Sequence, residues 1–228
     1  MNTMKIFLII FAAISVSHVI FIFLEKEKLR RLTKILIIPP LLAAYIAGMG
    51  FRPFLPISAL ILGWIGDILL IRIDKKTFFQ LGLGSFLLGH LCYIIAFIGL
   101  LGFFGSGSAA GTVNIPAILI FTLPSVFLGM VVFRLIKPTK EMYLPVILYM
   151  TILVAMSFLG FQVFLFNPGI AGLLILSGCF NFMVSDTILA YYTFRKPKIL
   201  GSILIMAYYI IAQAEIIIGI MMLVRGLL

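Results

Sequence analysis

The sequence predicts an all-α membrane protein, a single polytopic domain spanning residues 1–228 and built as a bundle of eight transmembrane helices. Three observations lead there. The 228 residues are 64% hydrophobic and 11% charged, whereas a soluble domain carries about 25% charged residues, so a water-facing shell cannot be assembled. Apolar runs of about 20 residues, the length that crosses a bilayer, recur from end to end. Between alternate runs, and seldom elsewhere, sit clusters of lysine and arginine.

Taken in order, the first run covers residues 4–24. It is longer than the apolar core of a signal peptide, basic residues follow it, and it lacks an A-x-A-like cleavage site, so it reads as a retained span. The second and third, 33–50 and 54–73, are interrupted by Pro39-Pro40 and by Pro53 and Pro56. Prolines are tolerated in membrane helices where neighbours re-satisfy the backbone. The remaining spans are 78–102, 115–136, 144–166, 169–194 and 199–224. Cys92 and Cys179 fall inside apolar runs, with neither metal-like spacing nor a disulfide framework, and read as small core residues.

Charge then sets orientation. Five basic residues lie in "EKEKLRRLTK", and three more in each of the turns holding Arg72, Lys75 and Lys76; Arg134, Lys137 and Lys140; Arg195, Lys196 and Lys198. Fourteen of the 17 basic residues thus occupy alternate turns, against Lys5, Arg52 and Arg225 opposite. The positive-inside rule puts those four turns in the cytoplasm and both termini outside. The net charge of +10 reads as topology and attraction to anionic lipid; no basic face on a folded surface suggests a nucleic-acid partner. The outer segment "GFFGSGSAAGTVN", 102–114, reads as a flexible loop. G-D-x-L-L in the third span and S-D-x-I-L in the seventh, followed by "CYIIAF" and "YYIIAQ", form a faint 4+4 echo. The expected location is a bacterial cytoplasmic membrane.

Polar residues inside the spans carry the functional expectation. "LILGWIGDILL", 60–70, and "FNFMVSDTILA", 180–190, each hold one aspartate with no basic neighbour in the same stretch. A mid-membrane aspartate costs on the order of 2.5–3.5 kcal/mol, and intramembrane ionisable groups default to function. Asp67 shares a helical face with Ala59 and Gly63, and Asp186 with Gly178 and Phe182; small residues let helices approach, so both carboxyls point inward. They lie at similar depth, roughly 8 Å and 13 Å from Arg72 and Arg195. His90 and Tyr93 share a face, as do Tyr209 and Gln213. His18 has only Ser15 and Ser17 nearby in sequence and reads as structural. Glu215 reads as a partner of Tyr208. Lys34 either snorkels or receives a phosphate at the interface.

The ordered set "LILGWIGDILL…FFQLGLGSFLLGHLCYIIAF", "LPVILYM", "GCFNFMVSDTILAYYTF" and "MAYYIIAQ" resembles the YhhN family of eight-helix membrane proteins, the lysoplasmalogenases. The likeness runs from about Lys34 to Gln213, with Asp67, Asp186 and His90 at the family's acidic and histidine positions. It implies hydrolysis of the vinyl-ether bond of a lysophospholipid substrate, giving a fatty aldehyde and a glycerophospho-alcohol. The expected catalytic residues are Asp67, Asp186 and His90. The expected substrate-binding residues are Lys34, Tyr93, Tyr149, Asn181, Ser185, Tyr209 and Gln213. No cofactor or metal is called for; the lipid bilayer is the other partner.

Chemistry agrees with that set. Protonating the β-carbon of a vinyl ether makes an oxocarbenium ion, which needs a neutral carboxylic acid and then negative charge beside the cation. Glycosidases meet a related demand with two unequal carboxyls. Two carboxyls close together in low dielectric are suited to sharing one proton. Asn181 and Ser185 beside Asp186 suggest that Asp186 is the anion and Asp67 the acid, with His90 positioning water or polarising the ether oxygen. Three alternatives remain: a proton-coupled transporter, a metal-dependent lipid hydrolase using Asp67, His90 and Asp186 as ligands, and a purely structural role.

Overall fold

The computed structural model describes residues 2–72, 75–105, 115–136, 138–193 and 199–227. Residues 106–114, Lys137, Arg195, Lys196 and Lys198, all used above for loop and orientation, lie outside the described residues. The helices are α1 Thr3–Phe23, α2 Glu27–Met49, α3 Leu55–Leu69, α4 Lys76–Gly105, α5 Ile115–Ile136, α6 Tyr143–Phe166, α7 Ile170–Thr193 and α8 Ile199–Leu227. Short 3₁₀ turns, Leu70–Arg72 and Lys140–Met142, follow α3 and precede α6. Among the described residues there is no strand.

All eight expected helices are present, with shifted ends. α2 begins six residues before the expected position 33. The charged stretch is itself helical because Glu27 binds Arg30 and Arg31, each at 2.8 Å, one turn along the same face. Lys34 therefore sits two turns inside α2 rather than opening it. Among the described residues, seven helices are long and apolar enough to cross a membrane, while the apolar run in α5 is the shorter Leu123–Leu135. Outward-facing side chains such as Val16, Phe127 and Leu144 are large, apolar and exposed. The chain is an integral, multi-pass membrane protein.

Neighbouring helices form a closed circuit in which α1 packs on α2, α2 on α3, α3 on α4, α4 on α6, α6 on α7, α7 on α8, and α8 back on α1 and α2. α5 stands outside it against α6 and α7. Lipid tails are as apolar as leucine, so the seams depend on close approach and on hydrogen bonds rather than on hydrophobic burial. The α3–α4 seam has Gly89 against the Ala59 carbonyl, and Ser85 Oγ donating to the Leu62 carbonyl at 2.6 Å. The α7–α8 seam has Gly178 against Ile216, and Ser185 Oγ donating to the Ile205 carbonyl at 3.0 Å.

Pro39 and Pro40 leave α2 continuous. Pro39 has no N–H for the carbonyl of Ile35, four residues back. Trp64 Nε1 on α3 donates to that carbonyl at 2.7 Å. The proline thus opens an acceptor, and the neighbouring helix fills it.

A β-carbon at Gly178 would lie 2.7 Å from Ile216 Cγ1 and 2.9 Å from the Ala212 carbonyl oxygen. Gly178→Ala should destabilise the protein by about 1–3 kcal/mol. Gly99→Ala, where nothing lies within 4 Å, should be neutral or stabilising by up to about 1 kcal/mol. Thermal unfolding in detergent reads the difference.

Candidate active site

Six helices, α2, α3, α4, α6, α7 and α8, bring polar side chains together, from Asp67 near the end of α3 to Tyr93 and Gln213 near the middle of α4 and α8. Asp67 is buried on α3, with 2% of its surface exposed. Its Oδ2 accepts from the Tyr209 hydroxyl of α8 at 2.7 Å. Its Oδ1 lies 3.6 Å from Lys34 Nζ of α2. Gln213, one turn further along α8, accepts through its Oε1 from the Tyr93 hydroxyl of α4 at 2.7 Å. Tyr209 and Gln213, four residues apart, both stand against Gly63 of α3, so Lys34, Asp67, Tyr209, Gln213 and Tyr93 form one polar line across α2, α3, α8 and α4.

Asp186 on α7 is half-buried and accepts a hydrogen bond from the Tyr149 hydroxyl of α6. It stands on the wall of a cavity among α4, α6 and α7, with Val132 of α5 as a further side. The cavity is small, about 60 Å³. The walls are mostly apolar (Leu83, Phe86, Val146 and Leu153 among them), and Asp186 is the only carboxyl among the described residues that line it.

Between the two carboxyls stand aromatic rings. Phe86 lines the cavity and meets Tyr209 edge-on at 5.8 Å; Phe182 meets Tyr209 edge-on at 5.6 Å. His90 is 1% exposed, with its ring 4.6 Å from Phe182 and 5.5 Å from Tyr149. Neither of its ring nitrogens has a hydrogen-bond partner. A buried polar group in that condition costs free energy unless a guest molecule bonds it. Tyr209, the partner of Asp67, meets the Phe86 ring that walls the Asp186 cavity.

Several expectations need correcting. The two carboxyls are not hydrogen-bonded to each other; each takes its bond from a different tyrosine. Ser185 and Asn181 do not serve Asp186. Ser185 is committed to the Ile205 carbonyl, and Asn181 Nδ2 donates to Glu215 Oε2 at 2.7 Å. Glu215 accepts from Asn181 and Ser177 rather than from Tyr208, making a separate α7–α8 clasp. His18 does have a partner, Thr33 of α2, at 2.8 Å from its Nδ1. These pairs join residues 15 to 142 positions apart, so helical periodicity gives no sign of them.

Among the described residues no three of His, Cys, Asp and Glu converge as metal ligands would. The zinc set of Asp67, His90 and Asp186 does not form, since His90 turns toward rings rather than toward the carboxyls. The model of the YhhN family matches residues 29–220. The chain belongs to the YhhN family. Neither a curated protein nor a solved structure matches it. The YhhN match takes in the polar line, the cavity wall and Glu215, and leaves the whole of α1 outside.

Tyr209→Phe would strip a donor from the buried Asp67 carboxyl, at about 1–3 kcal/mol. Tyr149→Phe should cost less, because Asp186 faces a cavity into which its carboxyl can turn. Thermal unfolding of the two variants should therefore rank Tyr209→Phe below Tyr149→Phe.

Proposed function

We propose that this protein hydrolyses the vinyl-ether bond of a single-chain ether lysophospholipid, releasing a fatty aldehyde and the glycerophospho-alcohol. The observation that carries the reading is the pair of intramembrane carboxyls, Asp186 on the wall of an apolar cavity and Asp67 bonded to Tyr209, whose ring meets the Phe86 of that same wall. Membership of the YhhN family supports a membrane hydrolase. An apolar cavity suits an alkyl chain, and the bilayer delivers such substrates laterally.

The roles of the two aspartates follow from their partners, and they reverse the expectation from sequence. Asp67 has an ammonium at 3.6 Å and a hydroxyl donor at 2.7 Å, the setting of a carboxylate. Asp186 has one tyrosine donor and apolar walls, the setting of a neutral acid. Asp186 gives its proton to the β-carbon of the vinyl ether, and the electron pair of the carbon–carbon double bond forms the new C–H bond. The resulting oxocarbenium ion is stabilised by the Asp67 carboxylate. Water held by the free ring nitrogens of His90 adds to the cationic carbon and loses a proton to the Asp186 carboxylate, which restores the acid. The hemiacetal then transfers its hydroxyl proton to the glycerol oxygen as the C–O bond breaks, leaving aldehyde and alcohol. General acid–base steps of this kind contribute about 10²–10⁴-fold in rate.

Asp67→Asn and Asp186→Asn should each lower kcat by about 10²–10⁴-fold while the protein still unfolds cooperatively in detergent. Mass spectrometry of released aldehyde reads the outcome. Turnover near wild type in both variants would refute the assignment. The basic turns belong in the cytoplasm with both termini outside, in a bacterial cytoplasmic membrane. Alkaline phosphatase fused to the carboxyl terminus should then be active and a fluorescent protein fused there dark; the opposite pattern would invert the orientation.

A further inference from the structure

We propose that Lys34 reads the phosphate of the lipid head group, its ammonium passing between Asp67 in the empty site and phosphate oxygen in the occupied one. The proposal rests on the hydrolase reading for its reaction and deepens it by naming what recognises the substrate's polar end.

The backbone around Lys34 is pinned from both sides. Thr33 is tied to His18 of α1 at 2.8 Å. Ile35 is tied to Trp64 of α3 at 2.7 Å, through the carbonyl that Pro39 leaves without an intrahelical donor. Two cross-helix bonds at adjacent positions fix where the lysine stem starts while leaving its four-carbon chain free to swing.

The ammonium itself is loosely held. It stands 3.6 Å from one Asp67 oxygen, beyond the length of a close charge-assisted bond. Its three donors exceed what that one oxygen uses. The Lys34 side chain is 20% exposed and the Asp67 side chain 4%, so the amine reaches the open end of the bundle and the carboxylate does not. One turn earlier, Arg30 and Arg31 are both engaged by Glu27 at 2.8 Å. By helical rise Lys34 lies roughly 10 Å along α2 from Glu27, a depth from which a lysine snorkels to the interface.

The exchange has a chemical consequence. In the empty site Lys34 offsets the charge of Asp67. When phosphate draws the ammonium away, Asp67 keeps its bond from Tyr209, and the forming oxocarbenium ion replaces the ammonium as the cation that faces it. A substrate without phosphate is therefore disfavoured in turnover as well as in binding.

The test uses purified protein in nanodiscs with three probes: 1-alkenyl-glycerophosphocholine, the phosphate-free 1-alkenyl-glycerol, and glycerophosphocholine without a chain. Wild type should prefer the first over the second by about ten-fold or more in kcat/KM, as expected for loss of a charge-assisted contact. Lys34→Gln should remove most of that preference and Lys34→Arg should retain it. An unchanged preference in Lys34→Gln overturns the proposal, as does displacement of bound lipid by glycerophosphocholine at equal concentration, which marks a site for soluble phosphate esters. Binding of an ester lysophosphatidylcholine to Asp186→Asn and to Asp186→Asn/Lys34→Gln, read by native mass spectrometry, is independent of turnover. Weaker binding to the double variant supports the head-group role even where no vinyl ether is cleaved, and equal binding overturns it even where cleavage occurs.

Discussion

A carboxyl inside a bilayer has to be answered by a partner from another helix, and much of this molecule is arranged around two such answers. Asp67 is bonded by Tyr209 and approached by Lys34; Asp186 is bonded by Tyr149. Each contact crosses from one helix to the next, and in hydrocarbon there is no water to stand in for a missing donor. The order of helices in the bundle is consequently tied to the site. α3 must meet α2 and lie near α8 for Asp67 to be satisfied, and α6 must meet α7 for Asp186.

The surrounding fold supplies the close approach that those bonds require. Gly63 brings α3 to within reach of Gln213 and Tyr209, and Gly66 lies against the ring of Phe86. A β-carbon at Gly66 would stand 2.6 Å from that ring, which also walls the cavity of Asp186. The same small-residue face that lets α3 pack therefore sets the position of the aromatic partition between the two carboxyls. Packing and chemistry are constrained by one set of atoms, and Asp67 and Asp186, equivalent by composition, have unequal partners.

Much of this was legible in the sequence, for physical reasons that also mark where reading stops. Hydropathy finds the spans because the bilayer demands about 20 apolar residues per crossing, and intramembrane charge is rare enough that Asp67, Asp186 and His90 stand out. Four-residue spacing put Tyr209 and Gln213 on one helix face, and both stand against Gly63. Nearness to Asp186 misled for Ser185 and Asn181, since adjacency in sequence says nothing about which neighbouring helix a side chain turns toward. The start of α2 was missed because charge suggests a loop, while Glu27 with Arg30 and Arg31 stabilises a helix. The Trp64–Ile35 bond had a signal in advance: a proline four residues after Ile35 frees its carbonyl, and the lone tryptophan is a donor seeking one.

The central claim is that the two aspartates of the resting protein differ in ionisation, Asp186 neutral and Asp67 charged. Infrared difference spectra of wild type against each asparagine variant, recorded in nanodiscs at neutral pH, test it directly. The account predicts that Asp186→Asn removes a carboxylic-acid C=O band and that Asp67→Asn removes only carboxylate bands. A protonated band that disappears with Asp67→Asn, or carboxylate bands lost in both variants, would contradict it.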